Sequence, residues 1–271
     1  MIASLGMYDF GAAVAANDRL WAGIRDGLRA RGLQAPEILT HGEGAYWPAW
    51  EAPDLVLSQT CGYPFRARLH GRVAYVGTPD YGVEGCPPGH YRSVFVVRAD
   101  DPRQTLADFD GAPFAYNEDL SQSGWAAPQT HAAHLGLTLR TALKTGGHRL
   151  SARAVAEGRA DIGALDVVTW ALMQDADPTA RALRVVAATD PTPGLPFIAA
   201  HGADADATFD AVAHAITALS PEDRATLRLK GIIRLTVADY LAVPNPAPPD
   251  PAPPSPTTPN QIAPARIAVR N

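Results

Sequence analysis

The amino-acid sequence predicts an α/β protein with two lobes, a ligand cleft between them and a disordered proline-rich tail. Two observations support this prediction. Apolar runs typical of β-strands alternate with helical patterns up to about residue 243, as in sheets flanked by helices. Long apolar strands at 93–98 and 184–188 can carry the chain from one lobe to the other and back. The 271 residues, 46% hydrophobic and 19% charged, admit one large domain or two lobes and supply enough apolar surface for a sizeable core.

Short apolar runs bounded by Gly, Pro or polar residues predict the strands. Val94, Phe95, Val96 and Val97 make the run at 93–98 the most continuous of them. Since helical patterns separate most of these runs, we expect a largely parallel sheet. The predicted strands span residues 2–7, 55–58, 73–77, 93–98, 114–117, 162–166 and 184–188.

Apolar residues at helical spacing predict the helices. Leu20, Ile24 and Leu28 recur every four residues and define an amphipathic helix over 17–31. The remaining helices begin after polar or Gly-containing segments, which commonly cap helices. The predicted helices span residues 17–31, 124–135, 151–157, 167–174, 209–219 and 221–229.

The two long strands divide the chain into domains. The strand at 93–98 follows a Gly/Pro-rich loop and leads into Asp-Asp-Pro, so it can cross between lobes. The return crossing is expected where the strand at 184–188 runs into a second proline-rich turn. We predict a discontinuous first lobe (1–93 plus 187–243), an inserted second lobe (94–186), and a hinge near 92–97 and 185–190.

The segment after Val243 consists mainly of proline, alanine and polar residues. Such a composition cannot bury a core or pair its backbone donors. We therefore predict that residues 244–271 are disordered and locally polyproline-like. The tail is either inert or a docking motif for a partner.

Charge and hydropathy exclude several classes of partner. The net charge of −5 and the scattered arginines leave no basic surface for a nucleic-acid backbone. No window reaches the roughly 18 to 20 apolar residues that span a bilayer. The amino terminus lacks the features of a secretory signal. We expect a periplasmic protein if a signal has been removed, and a cytoplasmic one if the chain is complete as written.

A polar segment at the start of the second predicted helix is a candidate anion site. Ser121, Gln122 and Ser123 follow the strand at 114–117 and precede the helix that opens at Gly124. Hydroxyls and free backbone N–H groups gather there at the positive end of a helix dipole. The alternative is an ordinary helix cap, because Ser is a preferred N-cap residue wherever helices begin.

A second candidate group flanks the next helix. The Gly146-Gly147 turn presents His148 at a helix start, and Asp166 ends the strand at 162–166. Ligands of open α/β sheets bind beyond the carboxyl ends of strands, where Asp166 is expected. Each residue alone also has a structural interpretation, since His148 can be a surface residue and Asp166 can cap the following helix.

The first lobe offers polar and aromatic side chains at the ends of its strands. Tyr8 and Asp9 follow the first strand, Ser58 and Gln59 end the second, and Tyr81 lies in a Gly-rich loop. Such groups typically line small-molecule clefts.

Two further features allow more than one interpretation. Tyr46, Trp47 and Trp50 either form a ligand wall or anchor their loop. Cys61 and Cys86 are too few for a disulfide framework, and they are either one bridge or two free thiols.

Sequence signatures of catalysis are absent. The chain has no Gly-x-x-x-x-Gly-Lys loop, His-Glu-x-x-His, Cys-x-x-Cys or Gly-x-Ser-x-Gly motif. We therefore predict no catalytic residue, no metal and no organic cofactor. Cys61 is the best nucleophile candidate because it follows a strand, and His148 is the candidate base for it.

Together these segments resemble the phosphonate-binding family of solute receptors for ABC transporters, which have a type 2 periplasmic-binding-protein fold. The resemblance covers about residues 2 to 240. It is most specific at Asn117 and 121–125, and at Gly147-His148 followed by Ser151 and Asp166. The family's Ser-Thr-Ser-Gly-like helix start is similar to 121–124, and its Gly-Ser-His turn is similar to 146–148.

The resemblance implies a solute-binding protein that captures a small oxyanion, such as a phosphonate, phosphate or phosphite, by interlobe closure and serves an ABC permease. It implies that the hydroxyls and amides at 121–124 hold the oxyanion. Gln122 departs from the pattern, because a hydroxyl is common at that place. With the residues at strand ends, the predicted ligand-binding set is Tyr8, Asp9, Ser58, Gln59, Tyr81, Ser121, Gln122, Ser123, His148 and Asp166.

Two alternative functions stay open from the sequence. The first is a cytosolic enzyme on the same fold that acts on a small precursor metabolite, with His148, Asp166 or Cys61 in the reaction. The second is a cytosolic ligand sensor that reports its closed form to another protein, for which the proline-rich tail is the distinctive feature.

Overall fold

The computed structural model describes residues 1–249 as two sheets flanked by helices. The strands are β1 (Ile2–Ser4), β2 (Leu55–Gln59), β3 (Val73–Asp80), β4 (His90–Tyr91), β5 (Ser93–Arg98), β6 (Pro113–Tyr116), β7 (Arg140–Lys144), β8 (Ile162–Asp166), β9 (Leu183–Ala188), β10 (Thr192–Pro193), β11 (Phe197–Ala200) and β12 (Gly231–Ile233).

Helices connect most of these strands. Two of them begin or continue as π-helical turns, at Phe65–Leu69 and Gln122–Ala126. The helices are α1 (Ala13–Ala30), α2 (Trp47–Trp50), α3 (Gly62–Pro64), α4 (Ala127–His134), α5 (His148–Ala156), α6 (Val167–Ala176), α7 (Ala205–Ala218), α8 (Pro221–Thr226) and α9 (Val237–Leu241).

The first sheet takes its strands from both ends of the chain, in the order β1-β2-β11-β3-β12. The second sheet has the order β7-β6-β8-β5-β9, so all of its strands come from the middle of the chain. The structure confirms the strands predicted at 93–98 and 162–166. It also contains β7 and β11, which we did not predict.

The expectation of a largely parallel sheet is wrong. In the first sheet β11 pairs antiparallel with both β2 and β3, and in the second β5 pairs antiparallel with both β8 and β9. Among the strands of residues 1–249, parallel pairing is confined to β1 with β2 and to β6 with β7 and β8. The reason is that β5 and β11 enter their sheets from direct crossings of the chain, without the helical crossover that parallel neighbours need.

Helices α1 and α7 pack together on one face of the first sheet. Leu20, Trp21, Ile24 and Leu28 are at most 2% exposed, so the predicted helical stripe faces the core. Burying each of these side chains contributes about 2 kcal/mol. Glycine permits the close approach of the two helices, because a Cβ at Gly23 would lie 3.2 Å from the Cβ of Ala215.

The two crossings between the sheets run side by side. Strands β4 and β10 pair antiparallel, and the Gly194 amide donates to the Gly89 carbonyl at 2.8 Å. A Cβ at Gly194 would lie 2.8 Å from the same carbonyl oxygen, so this contact requires glycine. Adjacent crossings suit a hinge. The predicted lobe boundaries and hinge residues nevertheless stay predictions.

The proline-rich segment begins with an ordered part. Residues 244–249 have no regular secondary structure, yet Arg66 and Trp125 donate hydrogen bonds to this segment, which we did not predict. The rest of the predicted tail, residues 250–271, lies outside the described residues. Over residues 1–249, no helix combines the length and the hydropathy that a bilayer crossing requires.

Candidate ligand-binding site

A cavity of about 550 Å³ lies between the two sheets. One wall comes from the segments that follow β1 and β2, and the other from the segments that follow β6 and β7. The cavity therefore opens at carboxyl ends of strands, where ligands of α/β sheets bind. Its position between the sheets means that both sheets contribute groups to one site.

Two serines at the helix start lie on the cavity wall. Ser121 caps the helix, since its Oγ accepts the Gly124 amide at 3.0 Å. Ser123 is 2% exposed, and its Oγ lies 2.8 Å from His148 Nε2. Both interpretations of this segment therefore hold at once, because Ser121 acts as the cap while the Ser123 hydroxyl bonds to a side chain.

His148 opens helix α5 and lies beside Ser123 on the same wall of the cavity. Burial lowers the pKa of His148 to about 4, so its imidazole is neutral near pH 7. If the neutral imidazole accepts the Ser123 proton at Nε2, the Ser123 hydroxyl has no proton left to donate to a ligand. In the other tautomer Nε2 carries the proton and donates it to Ser123 Oγ, so the hydroxyl proton is available for an anion.

Asn117 Oδ1 lies on the cavity wall and is enclosed without a hydrogen-bond partner in the described chain. Buried polar atoms are nearly always hydrogen-bonded, so such an orphan at a cavity indicates that a bound molecule supplies the partner. Asn117 also touches the helix start closely, because a Cβ at Gly124 would lie 1.8 Å from Asn117 Oδ1.

Each carboxylate on the cavity wall has a partner that offsets its charge. Asp9 Oδ2 lies 2.5 Å from His41 Nδ1, and this hydrogen bond raises the pKa of His41. Glu118 and Asp119 both pair with Lys144, at 2.9 and 3.0 Å. The cavity therefore repels an anion less strongly than it would if these carboxylates had no partners.

Aromatic rings and two arginines form the remaining wall. The Arg68 guanidinium lies 4.3 Å from the ring centre of Trp47, and Arg149 lies 4.9 Å from that of Phe10. Tyr46 is 38% exposed and donates its hydroxyl proton to the Gly6 carbonyl. Trp47 also packs edge-on against Trp50. These aromatic side chains thus serve both as a loop anchor and as cavity wall.

Of the ten predicted ligand-binding residues, the structure brings Asp9, Ser121, Ser123 and His148 to the cavity wall. Their contact with a ligand stays a prediction. The other six lie outside the cavity wall and have other partners.

Asp166 caps helix α6 and does not line the cavity. Its Oδ1 accepts the amides of Val168 and Thr169 at 2.7 and 3.0 Å, and its Oδ2 accepts the Tyr8 hydroxyl at 2.9 Å. Tyr8 follows β1 of the first sheet and Asp166 ends β8 of the second. The pair is therefore a hydrogen bond between the two sheets, and the carboxylate has no oxygen without a partner.

Ser58, Gln59 and Tyr81 form hydrogen bonds within the first-sheet part of the chain, outside the cavity wall. Ser58 Oγ lies 2.7 Å from Ser4 Oγ, and Gln59 Nε2 donates to the Tyr81 hydroxyl at 2.9 Å. The Tyr81 ring packs edge-on against Tyr8 at 5.0 Å. These residues support Tyr8 and the strand ends.

Gln122 and Cys61 contact each other, and Cys61, which lines the cavity, is not part of a catalytic arrangement. The Gln122 amide donates to Cys61 Sγ at 3.3 Å, while the Gln122 side chain accepts from Arg66. Cys61 and Cys86 are both free thiols. Burial raises the pKa of the Cys61 thiol, which disfavours the reactive thiolate, and the His148 Nε2 is already bonded to Ser123.

The sequence analysis missed Phe10, Arg68, Asn117 and Arg149 as members of the cavity wall. Arg149 follows the predicted residue His148 directly. Asn117 follows the end of strand β6, and this position at a strand end is the signal that could have identified it. No sequence pattern singled out Arg68, which reaches the cavity from a π-helical turn. Among residues 1–249, no cluster of His, Cys, Asp and Glu suits a metal ion.

A family model described as "ABC transporter, phosphonate, periplasmic substrate-binding protein" matches residues 53–241 of this chain. No curated protein matches this chain.

Several solved structures are similar in fold. A Prochlorococcus marinus protein in complex with methylphosphonate has a TM-score of 0.64 and 15% identity, over 88% of this chain and 94% of that one. A binding protein component of an ABC phosphonate transporter from Pseudomonas aeruginosa has 0.62 and 15%, over 89% and 83%. A Xanthomonas citri protein bound to ATP has 0.62 and 18%, over 88% and 92%.

Proposed function

Because the chain belongs to the phosphonate-binding family of periplasmic substrate-binding proteins of ABC transporters, we propose that it binds a small phosphonate in the cavity between its sheets. The lobes close around the ligand, and the closed form delivers it to a membrane permease on the periplasmic side. The proposed contacts are Ser121, Ser123 and His148, with Asp9 on the opposite wall.

The helix start at Ser121–Ser123 is the observation that carries this proposal. It joins two hydroxyls and the positive end of a helix dipole in a buried position that faces a cavity. An oxyanion is the ligand that such a group of donors stabilises. The orphaned Asn117 Oδ1 supports a monoprotonated oxyanion, whose hydroxyl can donate to it.

Cavity size favours a phosphonate over an inorganic anion. A cavity of about 550 Å³ exceeds what a bare tetrahedral anion fills. Phe10, Tyr46 and Trp47 offer apolar surface beside the helix start, where an organic substituent on phosphorus can pack. Arg68 and Arg149 add positive charge on the same walls.

The side chains support binding more than catalysis. In a Ser-His catalytic arrangement a third group holds the imidazole in its productive tautomer. Here no side chain other than that of Ser123 bonds to the His148 imidazole within residues 1–249, and its other hydrogen bond is with the Ala164 backbone, so no carboxylate fills the third position. The arrangement therefore supports a receptor over the enzyme alternative.

The proposal is tested by calorimetric titration of the purified protein with methylphosphonate, phosphate and sulfate at neutral pH. We expect one methylphosphonate per chain, bound several-fold more tightly than phosphate, because burial of a methyl group contributes about 0.8 kcal/mol. Turnover of methylphosphonate, followed by phosphorus NMR, is expected to be absent. The proposed function would be rejected if none of the three anions gave heat in the titration and none raised the midpoint of thermal unfolding.

Gly124→Ala is expected to weaken methylphosphonate binding at least about ten-fold. The new methyl group would lie 1.8 Å from Asn117 Oδ1 and 3.3 Å from His148 Cε1, so both cavity residues must move. Gly231→Ala is the matched control, since a Cβ there meets nothing within 4 Å. Equal affinities of the two variants would show that Asn117 and the helix start do not shape the site.

A further inference from the structure

The segment that follows helix α9 contacts helical turns that flank both sheets. Arg66, in the π-helical turn between β2 and β3, donates from Nη2 to the Pro244 carbonyl at 3.0 Å and from Nε to Asn245 Oδ1 at 2.7 Å. Trp125, in the helix that follows β6, donates from Nε1 to the Ala247 carbonyl at 3.1 Å. Residues 244–247 are thus held by one side chain from a helical turn beside each sheet.

Arg66 also joins the two sheets directly. Its Nη1 donates to Gln122 Oε1 at 2.7 Å, and its guanidinium lies 4.6 Å from the ring centre of Tyr63. The side chain is 9% exposed, yet no carboxylate within residues 1–249 forms an ion pair with it. Its hydrogen-bond acceptors within these residues are all neutral oxygens.

A buried cation without a counter-ion depends on its hydrogen bonds. Burial of an arginine costs free energy unless oxygens replace the water that it loses. For Arg66 these oxygens come from three places, the Gln122 side chain, the Asn245 side chain and the Pro244 carbonyl. Loss of any one of these acceptors leaves a guanidinium N–H without a partner, so the side chain is held less firmly at the other two acceptors.

Gln122 explains how this group of residues relates to the cavity. Ser121 and Ser123 line the cavity, whereas the intervening Gln122 turns its side chain to Arg66. The position of the oxyanion-binding helix start is therefore tied to the first sheet through Gln122. The same contact accounts for the glutamine that departs from the family's hydroxyl pattern.

We propose that Arg66, Gln122, Trp125 and residues 244–247 form an interlobe clasp, a set of positioning residues outside the cavity that raise ligand affinity by holding the lobes closed. The clasp bonds join groups from different sheets, so they form on closure and break on opening. A bond made only in the closed form adds to apparent affinity without adding to the stability of the open, ligand-free protein.

Two substitutions of Asn245 in the full chain test the clasp in opposite directions. Asn245→Ala removes an acceptor from Arg66 and is expected to weaken methylphosphonate binding about ten-fold. Asn245→Asp has the same shape but supplies the missing counter-ion, and is expected to tighten binding. Trp125→Phe, which keeps the ring and loses the indole N–H, is expected to act in the same direction as Asn245→Ala.

The midpoint of thermal unfolding without ligand separates a clasp from a merely structural contact. We expect it to move by less than about 2 °C in both Asn245 variants, because a change in the small closed population of the ligand-free protein adds little stability. Trp21→Phe is the control for the tryptophan substitution, because the Trp21 indole N–H has no hydrogen-bond partner in the described chain. It is expected to lower thermal stability and to leave affinity unchanged.

Equal affinity in wild type, Asn245→Ala and Asn245→Asp would overturn the clasp. If wild type binds no methylphosphonate, which counts against the proposed function alone, small-angle scattering of the ligand-free proteins decides. The radius of gyration is then expected to be smaller for Asn245→Asp than for Asn245→Ala, and equal values would overturn the inference.

Discussion

Replacing Ser123 with alanine is expected to weaken methylphosphonate binding roughly 10- to 100-fold, because a hydrogen bond to a charged group contributes about 1.5–3 kcal/mol. Ser123 is 2% exposed, and its hydroxyl is the group on the cavity wall that bonds directly to His148. An anion at this position gains a buried donor that water cannot easily replace. The dissociation constant from calorimetry measures the effect.

Ser220→Ala is the matched control for Ser123→Ala. The Ser220 hydroxyl accepts the Asp223 amide at 3.0 Å as the cap of helix α8, away from the cavity. Its loss is expected to lower the free energy of unfolding by about 1 kcal/mol and to leave affinity unchanged. If Ser123→Ala and Ser220→Ala bind methylphosphonate equally well, the anion does not contact the helix start.

Asp166→Asn is expected to remove a pH dependence of stability of about 3 kcal/mol. Burial raises the pKa of Asp166 from 3.8 to about 6 in the folded protein, and one pKa unit corresponds to about 1.4 kcal/mol. The folded state therefore binds the proton more tightly than the unfolded state. The resulting stability is fully present below pH 4 and is lost as the pH rises through 6.

Asparagine keeps the shape of Asp166 and can still cap the helix, but its side chain does not titrate. The free energy of unfolding of Asp166→Asn minus that of wild type is thus expected to grow by about 3 kcal/mol between pH 4 and pH 7, as measured by urea denaturation. Tyr8→Phe removes a hydrogen bond that favours the carboxylate, so it should move the transition to higher pH. A difference that stays constant over this range would contradict the assignment.

His148 acts in the opposite sense over the same range. Its folded pKa of about 4 lies below the unfolded value, so its contribution to stability is present above pH 6.5 and is lost as the pH falls through 4. The two buried groups partly cancel in wild type. Substitution of Asp166 therefore uncovers an acid instability that belongs to His148.

Local patterns predicted much of the fold. The apolar run at 93–98 and the strand at 162–166 appear with the predicted bounds, and the stripe of Leu20, Ile24 and Leu28 is buried as expected. These elements are determined by their own residues, because continuous β-branched runs and helical spacing need no distant partner. In contrast, β11 is four residues long, and its position between β2 and β3 depends on pairing across more than a hundred residues.

The candidate site was predictable at its helix start and less so elsewhere. Ser121, Ser123 and His148 sit at helix ends, where local sequence determines the direction of polar groups. The roles of Asp166 and Gln122 depend on Tyr8 and Arg66, which come from the other sheet. No local pattern contains that information, since the partners are 158 and 56 residues away in sequence.

The order of strands in the first sheet also bears on how the chain is synthesised. Strand β11 separates β2 from β3, so these two strands, both made early, cannot pair with each other in the native arrangement. Their inner edges stay open while the ribosome makes the whole second sheet, residues 93–188, which needs no strand from outside that range. The part of the protein made second is thus the first that can finish folding, and the amino-terminal strands wait for β11 and β12, which are made after the second sheet is complete.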